Sequence, residues 1–153
     1  MAEIWIGLEL HSLNNLIQRY FEFSSHKRGI GTVTGNNGWI IGYLAENAEA
    51  DKDIYQKDIE DHFTITRATT SKVLSLMERK GLIQRQPVSH DARLKKIVLT
   101  EKARKIEGLI KRDDAERMEH VLIDSFTDEE VNTLYSYIQK MKENLSNVKP
   151  PLS

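Results

Sequence analysis

The feature that most restricts the fold lies between Gln56 and Thr100, where the hydrophobic period changes abruptly at Gly81. Before that glycine, "RATTSKVLSLMERK" puts Thr70, Val73, Leu74 and Met77 on one helical face. After it, "LIQRQ" and "LKKIVLT" alternate apolar and polar residues, the period of a strand. Gly81 stands where a helix is ended by a left-handed residue. The stretch from Pro87 to Arg93 joins the two runs and predicts a hairpin with a long tip, about five to seven residues. Upstream, "YQKDIEDHF" predicts a short helix with Ile59 and Phe63 inward. "TITR" then breaks the chain and offers Thr66 as a hydroxyl N-cap for the next helix. Two short helices followed by a two-stranded ribbon make a helix-turn-helix with a β wing.

The flanks read as helices. From about Ile6 to Ser24, Leu10, Leu13, Leu16, Ile17, Tyr20 and Phe21 form one apolar stripe. Gly29, Gly31, Gly35 and Gly38 crowd the following stretch, which predicts a loop. A second helix, Asn36 to Ala48, is expected to turn Trp39, Ile40, Tyr43 and Leu44 inward. Thr100 can cap a long helix reaching about Ser125, whose middle, "KRDDAERMEH", is polar on nearly all sides and should be exposed or kinked. Thr127 and Glu130 fit a capping box, with Phe126 and Val131 as its hydrophobic staple. Val131, Leu134, Ile138, Met141 and Leu145 then repeat as an a/d seam. That seam fits either a second copy of the chain or the first helix of the same one.

The expected fold is therefore mainly α with a small β wing: five to six helices plus a two-stranded antiparallel hairpin. A winged helix-turn-helix would span residues 34–100, with helices in 1–33 and 101–148 on either side and 149–153 a flexible tail.

Charge supports an anionic partner. The chain carries a net −1, yet Thr64 to Lys105 holds eleven basic residues against three acidic ones, a local +8. The remainder carries −9, so a basic patch sits on an acidic body, which is also compatible with an ordinary solvated surface. With no cysteine there is no disulfide, thiolate metal site or thiol redox sensor. The histidines at 11, 26, 62, 90 and 120 include no i, i+4 pair, so neither a metal site nor a cofactor is expected. The glycines of "NNGWIIG" lack the lysine and hydroxyl residue of a phosphate loop, and no convergent acid, base or nucleophile suggests an enzyme. No run approaches a membrane span, and "MAEIWIGLELH" lacks the basic start of a secretory signal, so a cytoplasmic protein is expected.

Thr66, Arg67, Ala68, Thr69, Ser71 and Lys72 crowd the early turns of the second helix of the motif, largely away from the lock formed by Ile59, Phe63, Ile65, Val73 and Met77. Small hydroxyls permit close approach to base edges, and the two cations reach bases or phosphates. In "YQKDIEDHFTITRATTSKVLSLMERKGLIQR" and "DARLKKIVLTEKA" the chain resembles the MarR family of winged helix-turn-helix transcriptional regulators. "MERKGLI" and the wing pattern of Asp91, Arg93 and Leu99-Thr100 are the most specific parts. Against the family pattern, Thr64 occupies a turn where glycine is frequent, Glu60 replaces a small alanine and Thr70 an aliphatic residue, so a looser helix-helix lock is expected.

The resemblance implies a dimeric fold and a ligand-responsive repressor that binds a pseudo-palindromic duplex operator as a homodimer. On the same grounds residues 34–100 would be the DNA-binding domain and 1–33 and 101–148 the dimerisation helices. Leu10, Leu13, Val131, Leu134, Ile138, Met141 and Leu145 would make the dimer interface. The recognition helix would enter the major groove, and the wing residues Ser89, His90, Asp91, Arg93, Lys95 and Lys96 the minor groove. Asp91 would hold the Arg93 guanidinium; a surface ion pair without function is the bland alternative. The resemblance also implies a phenolic or aromatic-acid effector near Leu10, His11, Trp39, Tyr43 and His62. A winged helix serving only protein–protein interaction is the competing function. It would not require the basic and hydroxyl residues found here, and the absence of aromatics from Thr64 to Lys105 disfavours RNA.

Overall fold

A computed structural model describes residues 3–27, 36–109 and 112–149. The order is α1 (Ile6–Lys27), α2 (Asn36–Glu49), α3 (Gln56–Phe63), α4 (Arg67–Arg79), β1 (Ile83–Val88), β2 (Asp91–Leu99), α5 (Glu101–Leu109), α6 (Arg112–Leu122) and α7 (Asp128–Ser146). The helix expected from Thr100 to Ser125 is described in two pieces, α5 and α6, on either side of residues 110–111. Residues 110–111, most of the Gly-rich segment (28–35) and the tail residues 150–153 lie outside the described residues. The chain divides into two compact units, Met1–Ala115 and Glu116–Ser153.

The core of the first unit gathers Ile40, Ile41 and Leu44 of α2, Ile54, Ile59 of α3 and Leu74 and Met77 of α4. Leu82, Ile83, Ile97 and Leu99 of the wing root join them, with Ala103 of α5. Full burial of each large aliphatic side chain contributes about 1.5–3 kcal/mol. Within the helix-turn-helix lock, Ile59, Leu74 and Met77 are fully buried. Thr70 is fully buried, and its hydroxyl donates to the Thr66 carbonyl at 2.8 Å, which satisfies the one polar group in the seam. Phe63, Ile65 and Val73 pack against this core half-buried. Helix α2 differs from expectation: Ile41 joins Ile40 inside, which turns Trp39 to the rim, 43% exposed.

Both ends of α4 follow from single residues. Thr66 is its N-cap, accepting the Thr69 amide proton at 3.1 Å. At the other end Gly81 takes φ +72°. The Leu82 and Gly81 amides then donate back to the Met77 and Glu78 carbonyls at 2.9 and 3.0 Å, a complete left-handed termination. Lys102 Nζ donates to the adjacent Lys80 carbonyl at 2.8 Å, placing a cation at the negative end of the helix.

Strands β1 and β2 pair antiparallel from Ile83–Leu99 to Pro87–Lys95. The long tip does not form; the connection is Ser89–His90 alone. Pro87 opposes Lys95 while Val88 opposes Asp91, so one step on β1 matches four on β2 and residues 92–94 bulge out of register. Pro87 has no N–H to continue the ladder, which places the break there. The root is held by the Ile97 amide donating to the Ile54 carbonyl at 2.8 Å and the Thr100 amide donating to the Leu82 carbonyl at 3.1 Å.

In the second unit, Thr127 and Glu130 form the expected reciprocal capping box of α7, at 3.1 and 3.2 Å. Phe126, the outer residue of the expected staple, stays about half exposed. Helix α7 buries no side chain.

Candidate nucleic-acid interface

The packing of α4 decides which of its side chains are presented. Thr70, Leu74 and Met77 are buried, which leaves Thr66, Arg67, Ala68, Thr69, Ser71 and Lys72 exposed together over its first two turns. Their roles separate on hydrogen bonding. The Thr66 hydroxyl accepts from the Thr69 amide and donates to Thr69 Oγ1 at 3.0 Å, so it acts first as a cap. Thr69 Oγ1 accepts that proton and keeps its own to donate outward. Ser75 and Arg79 continue the exposed face beyond Lys72. The helical spacing of three and four residues was the signal for both, and the sequence reading stopped one turn short.

The bulge shapes the wing's chemistry. By standing out of register, Arg93 sits beside Asp91, whose Oδ1 accepts from the Arg93 amide at 2.9 Å. The same oxygen lies 3.5 Å from Arg93 Nε, while the Arg93 side chain remains 93% exposed. A carboxylate thus holds the base of a guanidinium whose tip projects away from the protein. Ser89, His90 and Lys95 are exposed near it. Lys96 is half-buried and faces Asp53 at 3.6 Å, so part of its charge is committed to the wing root. Arg85, which the sequence reading left out of the site, lies 3.5 Å from Glu78 and bridges strand β1 to the end of α4.

A model of the MarR family matches residues 32–94, the span that carries α2 through most of the wing. An uncharacterised HTH-type transcriptional regulator, YybA of Bacillus subtilis (strain 168), is 27% identical over 92 residues. That match covers 60% of this chain and 61% of the relative's length. The crystal structure of the transcription regulator MarR from Oenococcus oeni PSU-1 superposes with a TM-score of 0.75 and 29% identity, covering 91% of this chain and 99% of that one. Over this span the chain is similar to MarR-family regulators. The winged helix also resembles a Staphylococcus aureus MepR–DNA complex in fold, with a TM-score of 0.75 and 24% identity over 94% of this chain and 99% of that one.

The chain also has a cleft of about 350 Å³ lined by residues of α2, α3 and α5. Three of the expected pocket residues line it, Trp39, Tyr43 and His62, while Leu10 and His11 do not. Leu10 is 42% exposed on α1, as is the rest of its turn. Tyr43 stacks on His62 with centroids 4.2 Å apart, and Phe63 meets both rings edge-on. Burial, and after it the nearby Asp58 carboxylate, pushes the Tyr43 phenol above its ordinary value, so it stays a neutral hydroxyl. The sequence reading missed Glu46, Glu49 and Glu107, which line the same cleft. The first two continue the Trp39–Tyr43 face of α2; Glu107 arrives from a distant helix and leaves no local signal.

Of the expected interface residues, Leu13, Leu134 and Leu145 are exposed, and Ile138 lies at the edge of exposure. Val131 and Met141 are half-buried. Among the described residues no group of three or more His, Cys, Asp or Glu side chains could hold a metal. Among the same residues no helix is long and apolar enough to cross a membrane.

Proposed function

We propose that this protein is a sequence-specific double-stranded DNA-binding regulator, a cytoplasmic ligand-responsive repressor that acts by binding rather than catalysis. As a homodimer built on residues 1–33 and 101–148 it occupies a pseudo-palindromic operator, with the 34–100 domains on half-sites about one helical turn apart. Helix α4 enters the major groove, where Arg67, Thr69, Ser71 and Lys72 meet bases and phosphates. The wing enters the minor groove, whose narrow negative channel favours a pre-oriented guanidinium. A small-molecule effector in the cleft between α2, α3 and α5 adjusts this affinity. One observation carries the reading: Asp91 anchors an Arg93 that is otherwise almost wholly exposed, an arrangement with no evident use in folding.

The test begins with duplexes selected by the purified protein from a random pool, followed by anisotropy titrations. Arg93→Ala should weaken the selected duplex about tenfold or more, with unchanged sedimentation and circular dichroism. Equal affinity for the variant overturns the role of the wing. A pool that yields no preferred duplex overturns sequence-specific binding and favours a protein-interaction module.

A further inference from the structure

We infer that α4 reads its half-site through two features only, the acceptor edge of guanine and the 5-methyl group of thymine, and leaves the amino groups of adenine and cytosine unread. The inference rests on α4 occupying the major groove and specifies what that helix can recognise there.

The chemistry of its outer face is one-sided. By helical spacing, Ala68, Lys72, Ser75 and Arg79 form the stripe opposite the buried Thr70, Leu74 and Met77, with Thr69 at its edge. From Arg67 to Met77 there is no Asn, Gln, Asp or Glu. Two-point recognition of adenine calls for an amide, and the cytosine amino group for a carboxylate acceptor. The one carboxylate of the helix, Glu78, faces Arg85 at 3.5 Å. Hydroxyls can accept as well as donate, so they discriminate weakly. Thr69 is biased further, since its Oγ1 already accepts from Thr66 and its own proton is left to donate outward.

Donors and methyl groups remain. Arg67, Lys72 and Arg79 enter no ion pair among the described residues, unlike Lys57 of α3 and Arg85 of β1. Lys72 lies on the outermost stripe and suits guanine, whose O6 and N7 both accept. One turn before it, the Ala68 side chain is a bare methyl, and Thr69 adds a second beside it. Both are short enough for the helix to approach the base edges closely, where such methyls meet the thymine 5-methyl group.

Anisotropy titrations of the full chain use the duplex selected from a random pool, altered one base at a time within a half-site. 7-Deazaguanine lacks the N7 acceptor and should weaken binding about fivefold or more at one guanine at least. Deoxyuridine for thymine removes only the methyl group and should cost about fourfold at a contacted position. Opposite such a thymine, 2-aminopurine for adenine takes the amino group out of the major groove and should change affinity less than about twofold. Two variants assign the readers. Ala68→Gly/Thr69→Ser removes both methyls and keeps the hydroxyl. Whatever it loses in overall affinity, its thymine-to-uracil ratio should fall to about one. Lys72→Gln supplies an amide and should move the preference at the sensitive guanine towards adenine. Deoxyuridine or 7-deazaguanine tolerated at every position overturns the inference, as does a thymine-to-uracil ratio that survives loss of the two methyls. A loss of about tenfold with 2-aminopurine overturns it as well, because adenine would then be read. A pool that yields no preferred duplex refutes the regulator itself, whereas a selected duplex indifferent to these substitutions refutes this mode of recognition alone.

Discussion

Two residues with positive φ show how unequally single positions carry this fold. Gly81 at φ +72° ends α4 without strain, and a Cβ built there meets nothing within 4 Å, so backbone conformation alone selects glycine. Thr64, at φ 53° between α3 and α4, is a β-branched residue in the same left-handed region. Its chain direction is imposed by the turn, where the Ile65 amide donates to the Glu60 carbonyl at 3.1 Å. A left-handed conformation costs an L-residue about 1–2 kcal/mol, part of which glycine returns as unfolded-state entropy. Thr64→Gly should therefore stabilise the domain by about 0.5–1 kcal/mol, read as a higher urea midpoint at unchanged slope. A midpoint at or below the parent's would mean that the Thr64 side chain compensates its own strain. The sequence marked this position as a departure from the family, and the dihedral supplies the physical content of that departure.

At the scale of elements, one side chain ties the wing root to both neighbouring helices. Thr100 accepts from the Ala103 amide as N-cap of α5 at 3.2 Å, and its hydroxyl donates to the Gly81 carbonyl. One residue thus joins the end of α4, the root of β2 and the start of α5. Thr100→Val keeps the shape and loses both bonds, so a loss of about 1–2 kcal/mol in denaturant unfolding is expected. Thr100→Ser should stay within a few tenths of a kcal/mol of the parent. Equal stability of the valine variant would assign the joint to backbone bonds alone. Helix α4 was legible beforehand because its cap, apolar face and terminating glycine lie within sixteen residues of sequence, from Thr66 to Gly81. The wing tip was not: residues 92–94 bulge where Pro87 interrupts the ladder, and an unpaired segment in a strand resembles a loop when read by alternation. The cleft was only half legible. Its α2 wall follows helical spacing, but Glu107 joins it from 58 residues beyond Glu49, through tertiary packing that no local pattern encodes.

For the whole molecule, the apolar surface left open is too regular to be surface noise. On α1, Ile6, Leu8, Leu10, Leu13 and Leu16 are all exposed. On α7, Leu134 at 39%, Ile138 at 36% and Leu145 at 76% lie along the seam that the sequence spaced by threes and fours. Exposed apolar stripes of this kind mark association surfaces. The proposed homodimer would account for both, and it would couple association to DNA affinity. Once one domain is bound, the second is held near its half-site at an effective concentration of about millimolar or more. The variant Leu134→Glu/Ile138→Glu places two like charges in the seam of each protomer and leaves the helix-turn-helix untouched. Sedimentation should report a monomer with helical content preserved, and affinity for a two-half-site duplex should fall about a hundredfold, towards that for a single half-site. A monomer that holds the full operator as tightly as the parent would show that each domain binds alone. A dimer surviving both charges would move the interface off α7 and leave α1 to carry it.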